Sequence, residues 1–149
     1  MKIVAVAGAA ECEGVISQVA YQVGQLAASK GFLVLTGGLA GVMKHALHGA
    51  KDAGGLTIGM IPSYDKSTAN EYCDAVIPTG LGHGRNILVA SSGDLCVSVG
   101  GSLGTASEIA IAKKLGREVV SFQSPIEHET SYDDRESFFI KLKELLERI

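Results

Sequence analysis

Two glycine-rich turns carry the residues whose types and spacing are best suited to chemistry. In one of them, the apolar run Leu95–Val99 ends in the glycines of residues 100–104, and a helical pattern opens at Thr105. A strand, a glycine turn and a helix in this order point backbone N–H groups and a helix dipole at an anion. Glycine also lets a phosphate approach the main chain without meeting a Cβ atom. The stretch therefore predicts a phosphate-binding turn.

The second turn covers residues 36–41 and also lies between an apolar run and a helical pattern. Its Thr-Gly-Gly-x-x-Gly spacing differs from the dinucleotide-binding fingerprint and from the Walker loop, and it has no lysine for a β- or γ-phosphate. This argues against a nucleoside triphosphatase and favours a monophosphate or a similar small anion. We expect the two turns to lie beside each other and to bind the anion together. The alternative is that these glycines serve only the tight packing of helix on strand.

Arg85 and Glu108 are the charged candidates near these turns. Arg85 lies in the predicted loop of residues 82–86, where it can hold a phosphate through two parallel N–H bonds or form a surface or interface salt bridge. The sequence from Thr105 to Glu108 fits a capping box, in which the glutamate accepts a hydrogen bond from the N–H of the cap residue. Beside Arg85, the same carboxylate could instead act as a base or bind a sugar hydroxyl. Both interpretations of each residue stay open.

The histidines and cysteines are weaker candidates. His45 and His48 lie three residues apart on a predicted helix, but no nearby carboxylate or thiolate completes a metal site, so we expect none. His83 is the better candidate for a ligand contact. Cys96 lies in mid-strand and is predicted to be a core residue. Cys12 follows the first strand, where it could line a pocket.

Apolar runs alternate with helical patterns along the chain. The predicted strands are residues 3–7, 32–35, 56–61, 75–77, 95–99 and 118–122. The predicted helices cover 14–29, the stretch after residue 41, 87–91, the stretch from residue 105, and a C-terminal helix with a capping box at 133–136; residues 124–134 are predicted to be a loop. Continuously apolar strands predict an α/β, Rossmann-like, doubly wound parallel sheet of about six or seven strands with helices on both faces. Both turns and Arg85 then fall at the carboxyl ends of strands, where such folds bind ligands.

Length and composition agree with this fold class. The 149 residues predict a single domain over residues 1–149. Charged residues make up 19% of the chain, below the usual ~25%, and the mean hydropathy is +0.25. We therefore expect large buried faces that include a subunit interface, and we predict a homo-oligomer, either a dimer or a tetramer.

Charge, cysteine content and hydropathy narrow the expected partners and compartment. The net charge of −3, with the basic residues scattered, argues against nucleic acid as a partner. Three cysteines without a C-x-x-C pair argue against a disulfide framework and a cysteine zinc site, so we infer a reducing cytoplasm. No apolar run reaches the ~18 residues of a membrane span. The N-terminal apolar stretch is also too short for a signal sequence.

Three motifs together resemble one Rossmann-like superfamily. They are TGGLAGVM at residues 36–43, GRN at 84–86 and GGSLGTASE at 100–108. The superfamily unites the Lonely Guy phosphoribohydrolases, formerly called lysine decarboxylase-like, with DNA-processing protein A and the molybdenum cofactor carrier proteins. The resemblance covers nearly the whole chain.

The Lonely Guy enzymes carry a P-G-G-x-G-T-x-x-E loop and an upstream arginine followed by lysine. Arg85 and Glu108 match their catalytic pair. The departures from that pattern are Gly100 for proline, Ser102 for glycine and Asn86 for lysine. The resemblance therefore implies, as an alternative function, a phosphoribohydrolase that cleaves the N-glycosidic bond of nucleoside 5′-monophosphates.

The short length and the two glycine loops fit the molybdenum cofactor carrier group best. That resemblance implies a binding protein for a pterin with a terminal phosphate, with the molybdenum cofactor or a nucleotide as cargo and no cofactor required for folding. The layout of residues 84–120 is similar to the core of the DNA-processing family, which makes single-stranded DNA a third hypothesis. The residues expected to bind the ligand are Gly8, Ala9, Thr36, Gly37, Gly38, Gly41, Met43, Arg85, Asn86, Gly101, Ser102, Gly104, Thr105 and Glu108.

Overall fold

Seven strands and five helices make up the computed structural model, which describes residues 1–149. The strands are β1 (Ile3–Gly8), β2 (Leu33–Thr36), β3 (Thr57–Ile61), β4 (Ala75–Pro78), β5 (Leu95–Val99), β6 (Glu118–Phe122) and β7 (Ser131–Tyr132). The helices are α1 (Val15–Ser29), α2 (Val42–Asp52), α3 (Arg85–Ser92), α4 (Leu103–Lys114) and α5 (Arg135–Arg148). Two single-turn 3-10 helices, Lys66–Thr68 and Gly82–Gly84, lie in the connections.

All seven strands run parallel in the order β4-β3-β2-β1-β5-β6-β7. From β1 the chain adds β2, β3 and β4 on one side, and then it returns to place β5 on the other side of β1. Gly8 at the end of β1 pairs there with Val99 at the end of β5. In open α/β sheets, a ligand-binding crevice forms outside the carboxyl ends of the strands at such a switch point.

Two apolar clusters of unequal size cover the faces of the sheet. On one face, α1, α2 and α5 pack in a cluster of 22 buried residues that includes Val4, Val97 and Phe122. On the other face, α3 and α4 pack in a cluster of 8 that includes Ala5 and Cys96. Because successive strand residues point to opposite faces, the continuously apolar strands supply both clusters. The predicted doubly wound α/β fold is confirmed.

The C-terminal part of the chain differs from the sequence prediction in two places. The predicted loop 124–134 contains β7, a two-residue strand that pairs with β6; it is too short for an apolar pattern to reveal. The predicted capping box at 133–136 is wrong by one residue, because the N-cap of α5 is Asp134, which accepts a hydrogen bond from the N–H of Ser137 at 3.1 Å. None of the helices combines the length and the apolar character needed to cross a membrane.

Candidate functional site

A cleft with a volume of about 200 Å³ opens at the switch point. The β1–α1 loop and the first turns of α2, α3 and α4 form its walls. Nine of the predicted ligand-binding residues line it: Gly8, Ala9, Met43, Arg85, Asn86, Ser102, Gly104, Thr105 and Glu108. The sequence prediction missed Ala7 and Ala10, which also line the cleft, because small apolar residues beside a strand end carry no recognisable motif.

The turn between β5 and α4 presents five free backbone donors. The N–H groups of residues 101–105 have no hydrogen-bond acceptor in the chain, and three of these residues, Ser102, Gly104 and Thr105, line the cleft. Positive φ angles of 59° at Gly100 and 101° at Gly101 shape the turn, and glycine reaches them without steric cost. No side chain caps α4, and no acidic residue lies in its first turn. Free N–H groups at a helix N-terminus are well suited to bind an anion.

Helices α2 and α3 point their N-termini at the same cleft. Neither has a side-chain cap or an acidic residue in its first turn. The predicted loop over residues 82–86 is shorter in the structure, because the 3-10 turn ends at Gly84 and α3 begins at Arg85. Three helix N-termini therefore direct positive partial charge toward one place.

Arg85 is buried at this point of convergence, with 9% of its surface exposed. Its Nη1 donates to Asn86 Oδ1 at 2.8 Å, and its Nη2 lies 3.9 Å from Met43 Sδ. Its Nε is the one fully buried side-chain polar atom in the chain without a hydrogen-bond partner. Arg85 forms no salt bridge within the chain, so the surface ion pair is wrong, while the alternative of an interface salt bridge stays a prediction. Burial lowers the pKa of Arg85.

Asn86 holds the guanidinium in place and connects α3 to α4. Its side chain is 8% exposed. Its Nδ2 donates to Ser107 Oγ at 3.3 Å, and Ser107 Oγ donates to the carbonyl of Gly104 at 2.6 Å. The amide oxygen that accepts from Arg85 is neutral, so the guanidinium is oriented while its positive charge is left uncompensated.

Glu108 lies at the floor of the cleft, in the second turn of α4. Burial raises the pKa of its carboxyl to about 7, against the opposing influence of the Arg85 charge. The predicted capping box is wrong, because the N-cap of α4 is Ser102 and not Thr105. Glu108 is therefore six residues past the cap, beyond the reach of the reciprocal bond that defines such a box.

The turn of residues 36–41 packs against Arg85 and Met43, two of the residues that line the cleft. Of the residues predicted there, Thr36, Gly37, Gly38 and Gly41 lie outside the lining, as does Gly101 of the other turn. The two glycine turns are not neighbours, so the predicted adjacency is wrong: β1 separates β2 from β5, and the β1–α1 loop lies between the turns. That separation follows from the strand order, which the sequence does not specify.

Close packing explains the glycines of this second turn. A Cβ at Gly37 would lie 2.7 Å from Arg85 Cζ and 2.7 Å from Met43 Sδ. Gly41, at a φ of 66°, packs directly against the carbonyl of Ala9. The Thr36 hydroxyl accepts a hydrogen bond from the N–H of Gly38 at 3.0 Å. The turn thus makes room for the guanidinium and fixes the loop that follows β1.

The remaining candidates are divided between the rim of the cleft and other parts of the surface. His83 is exposed and lies among the lining residues. Cys12 is outside the lining and accepts a hydrogen bond from Ser17 Oγ at 3.4 Å, so its predicted place in the pocket is wrong. Cys96 is a core residue, as predicted, and is 9% exposed.

The histidine pair on α2 lies away from the cleft. The His48 ring stacks on Tyr72 at a centroid distance of 4.3 Å, and its Nε2 lies 3.4 Å from an oxygen of Asp52. The Asp52 carboxylate is a neighbour of His48 that was not predicted. His45, His48 and Asp52 do not form a metal site, since no three histidine, cysteine or acidic side chains are grouped to hold an ion.

Comparison with known families gives one match over almost the whole chain. The family model described as LDcluster4, SLOG cluster4 family, matches residues 1–146. A protein of Archaeoglobus fulgidus, described only as uncharacterized, is 44% identical over 123 residues, which are 83% of this chain and 81% of that protein.

Solved structures with the same fold include proteins that bind the molybdenum cofactor. The molybdenum cofactor binding protein of Rippkaea orientalis is 36% identical with a TM-score of 0.79, over 99% of this chain and 83% of that chain. The molybdenum cofactor carrier protein of Chlamydomonas reinhardtii is 36% identical with a TM-score of 0.77, over 97% and 86% of the two chains. DNA processing protein A of Helicobacter pylori is 18% identical with a TM-score of 0.68, over 99% and 79%, and shares the fold.

Proposed function

The chain belongs to the SLOG cluster4 family, and from this membership and the cleft we propose that it is a carrier protein for a small phosphorylated ligand. One observation carries the proposal: free N–H groups of the β5–α4 turn line the same cleft as a buried guanidinium that forms no salt bridge and whose Nε has no hydrogen-bond partner. A buried charge without a partner is costly. A phosphate would supply the missing acceptors through charge-assisted hydrogen bonds.

The molybdenum cofactor is the cargo that we propose first. Its support is the similarity to the Rippkaea and Chlamydomonas proteins, whose descriptions name this cofactor. The donor set fits the phosphate end of such a ligand. The volume of about 200 Å³ is below the range of about 300–1,000 Å³ for pockets that enclose a drug-sized ligand. The ring system would therefore lie at the open mouth, beside His83.

Titration calorimetry with three ligands tests the proposal: sulfate, AMP and molybdenum cofactor released from a molybdoenzyme. The informative variant is Arg85→Gln, and the matched control is Arg148→Gln, which removes an exposed arginine on α5. A hydrogen bond to a charged group contributes about 1.5–3 kcal/mol, so its loss should weaken ligand binding about tenfold to a hundredfold. The control should bind like the native protein.

Two results would contradict the carrier proposal. One is that none of the three ligands binds. The other is that Arg85→Gln binds as tightly as the native chain while circular dichroism shows both to be folded. A preference for the released cofactor over AMP would identify the cargo, and the reverse preference would favour a nucleotide.

A phosphoribohydrolase is the second candidate, favoured by Glu108. This carboxyl shares the cleft with Arg85 and has a pKa of about 7, which suits proton transfer at neutral pH. Chromatography of AMP after incubation with the protein would show free adenine if the bond is cleaved. Release that persists in Glu108→Ala would contradict this mechanism, and no release would exclude the activity for this substrate.

Assembly and compartment are part of the same proposal. We propose a homo-oligomer from the hydropathy of the chain, which sedimentation of the purified protein tests. We propose a reducing cytoplasm because the three cysteines are unpaired in the structure. A single-stranded DNA partner is tested by a gel shift at low salt, since such binding depends on phosphate neutralisation.

A further inference from the structure

Glu108 separates two very different environments. On one side is the ligand cleft, and on the other is a chamber of about 10 Å³ between the sheet and helices α3 and α4. Most residues that line the chamber are apolar, such as Ala5, Ala7 and Val89. Its two side chains with a donor group are engaged elsewhere, because Ser98 Oγ donates to Ser121 Oγ at 2.6 Å and Cys96 Sγ donates to the carbonyl of Ala90 at 3.4 Å. The cleft is therefore the polar space that the carboxyl group can reach.

The protein stabilises the ionised form of Glu108 through a single neighbouring charge and through no hydrogen bond. No side chain or backbone N–H donates a hydrogen bond to it, and the sole favourable influence on its charge is the nearby Arg85. A buried carboxylate without donors or an ion pair is strongly disfavoured over the neutral acid. A carboxylate here would also repel any anion that binds to the same guanidinium.

From this geometry we propose that Glu108 binds the ligand as a neutral carboxylic acid, so that an anion occupies the cleft only together with the Glu108 proton. The inference rests on the proposed anion-binding function. A Glu108 that is ionised before binding takes one proton from the solvent, whereas one that is already neutral takes none, and in both cases the O–H faces the cleft as a donor. When the proton leaves, the carboxylate and the anion compete for Arg85, and the anion is released.

The other ionisable groups around Glu108 do not replace it in this role. Arg85 faces it from α3 and stays charged. Cys96 faces it from β5, and burial raises the pKa of that thiol to about 12, so the thiol stays neutral. His83 is the remaining ionisable side chain that lines the cleft; it lies on the 3-10 turn before α3 and is exposed. The residues of β1 and β6 that line the chamber are not ionisable.

Sulfate is the appropriate anion for the test, because it stays a dianion near neutral pH whereas a phosphate monoester titrates near pH 6. With a Glu108 pKa of about 7, sulfate affinity should fall about tenfold from pH 6 to pH 8. In Glu108→Gln this pH dependence should disappear, and a tenfold fall that persists in this variant would overturn the proposal. Glu127→Gln, a change at an exposed glutamate outside the cleft, should keep the native pH dependence.

A carbon-13 titration of the glutamate side chains gives an independent readout. The Glu108 signal, assigned by its loss in Glu108→Gln, should titrate at a higher pH in saturating sulfate than without it. If sulfate binds through Arg85 but the Glu108 pKa is unchanged or lower, proton coupling is wrong and the carrier proposal stands. If sulfate does not bind to the native protein between pH 5 and pH 8, both proton coupling and the carrier proposal are overturned.

Discussion

Replacing Glu108 with glutamine should stabilise the ligand-free protein at alkaline pH. Burial raises the Glu108 pKa from its ordinary value of 4.5 to about 7. The folded state therefore holds this proton more tightly than the unfolded state, and folding stability is lost as the pH rises from 4.5 to about 7. Each factor of ten in the acid constant is worth about 1.4 kcal/mol, so full ionisation costs about 3 kcal/mol.

The advantage of Glu108→Gln over the native chain should grow by about 2.5 kcal/mol between pH 5 and pH 8.5. Urea unfolding followed by circular dichroism measures it, since the chain has no tryptophan for fluorescence. Glu127→Gln removes one negative charge at an exposed position and should differ from the native chain by the same amount at both pH values.

One outcome would refute the reasoning on Glu108. If the free-energy difference between Glu108→Gln and the native chain is the same at pH 5 and pH 8.5, the carboxyl is not destabilised by burial. Its pKa then lies near 4.5, and neither the stability prediction nor proton-coupled binding holds. The proposal that the backbone N–H groups bind an anion would be unaffected by this result.

Two further variants test the packing around the site. Gly37→Ala places a Cβ 2.7 Å from Arg85 Cζ and should displace the guanidinium. Sulfate binding should then weaken at least about tenfold, and the folded state should lose about 1–3 kcal/mol of stability. An unchanged sulfate affinity would contradict this prediction. Ser121→Ala removes the hydroxyl that accepts from Ser98 Oγ at 2.6 Å and contacts His128 Nε2 at 2.8 Å. It should cost about 1–3 kcal/mol in urea unfolding, and the double variant that also replaces Ser98 by alanine should lose less than the sum of the two single changes.

The fold was predictable from the sequence because its signals are local and repeated. Apolar runs mark six of the seven strands, five of these runs have a glycine within two residues of an end, and helical spacing marks the helices. β7 escaped prediction because its two residues form a strand only through pairing with β6. The start of α3 was misplaced because the Gly-His-Gly sequence before Arg85 resembles a loop, whereas it forms a helical turn that leads into the helix.

The site was predictable as a set of residues but not as an arrangement. The N–H donors of residues 101–105 follow from a strand, a glycine turn and a helix, all within one local stretch. The role of Gly37 depends on a contact with Arg85, 48 positions away in the sequence, which no local pattern reveals. The same is true of the Glu108 pKa, since it depends on which apolar residues surround the carboxyl after folding.

The absence of a salt bridge between Arg85 and Glu108 bears on the proposed function of the site. A salt bridge between them would stabilise the ligand-free protein, but it would occupy the guanidinium that an anion needs. The structure avoids the salt bridge and uses the neutral oxygen of Asn86, 2.8 Å from Arg85 Nη1, to fix the guanidinium. Burial favours the neutral form of Glu108, so the charge of Arg85 is left available. A guanidinium without a salt bridge and a neutral carboxyl beside it both favour an incoming anion, which supports our proposal that the cleft binds one.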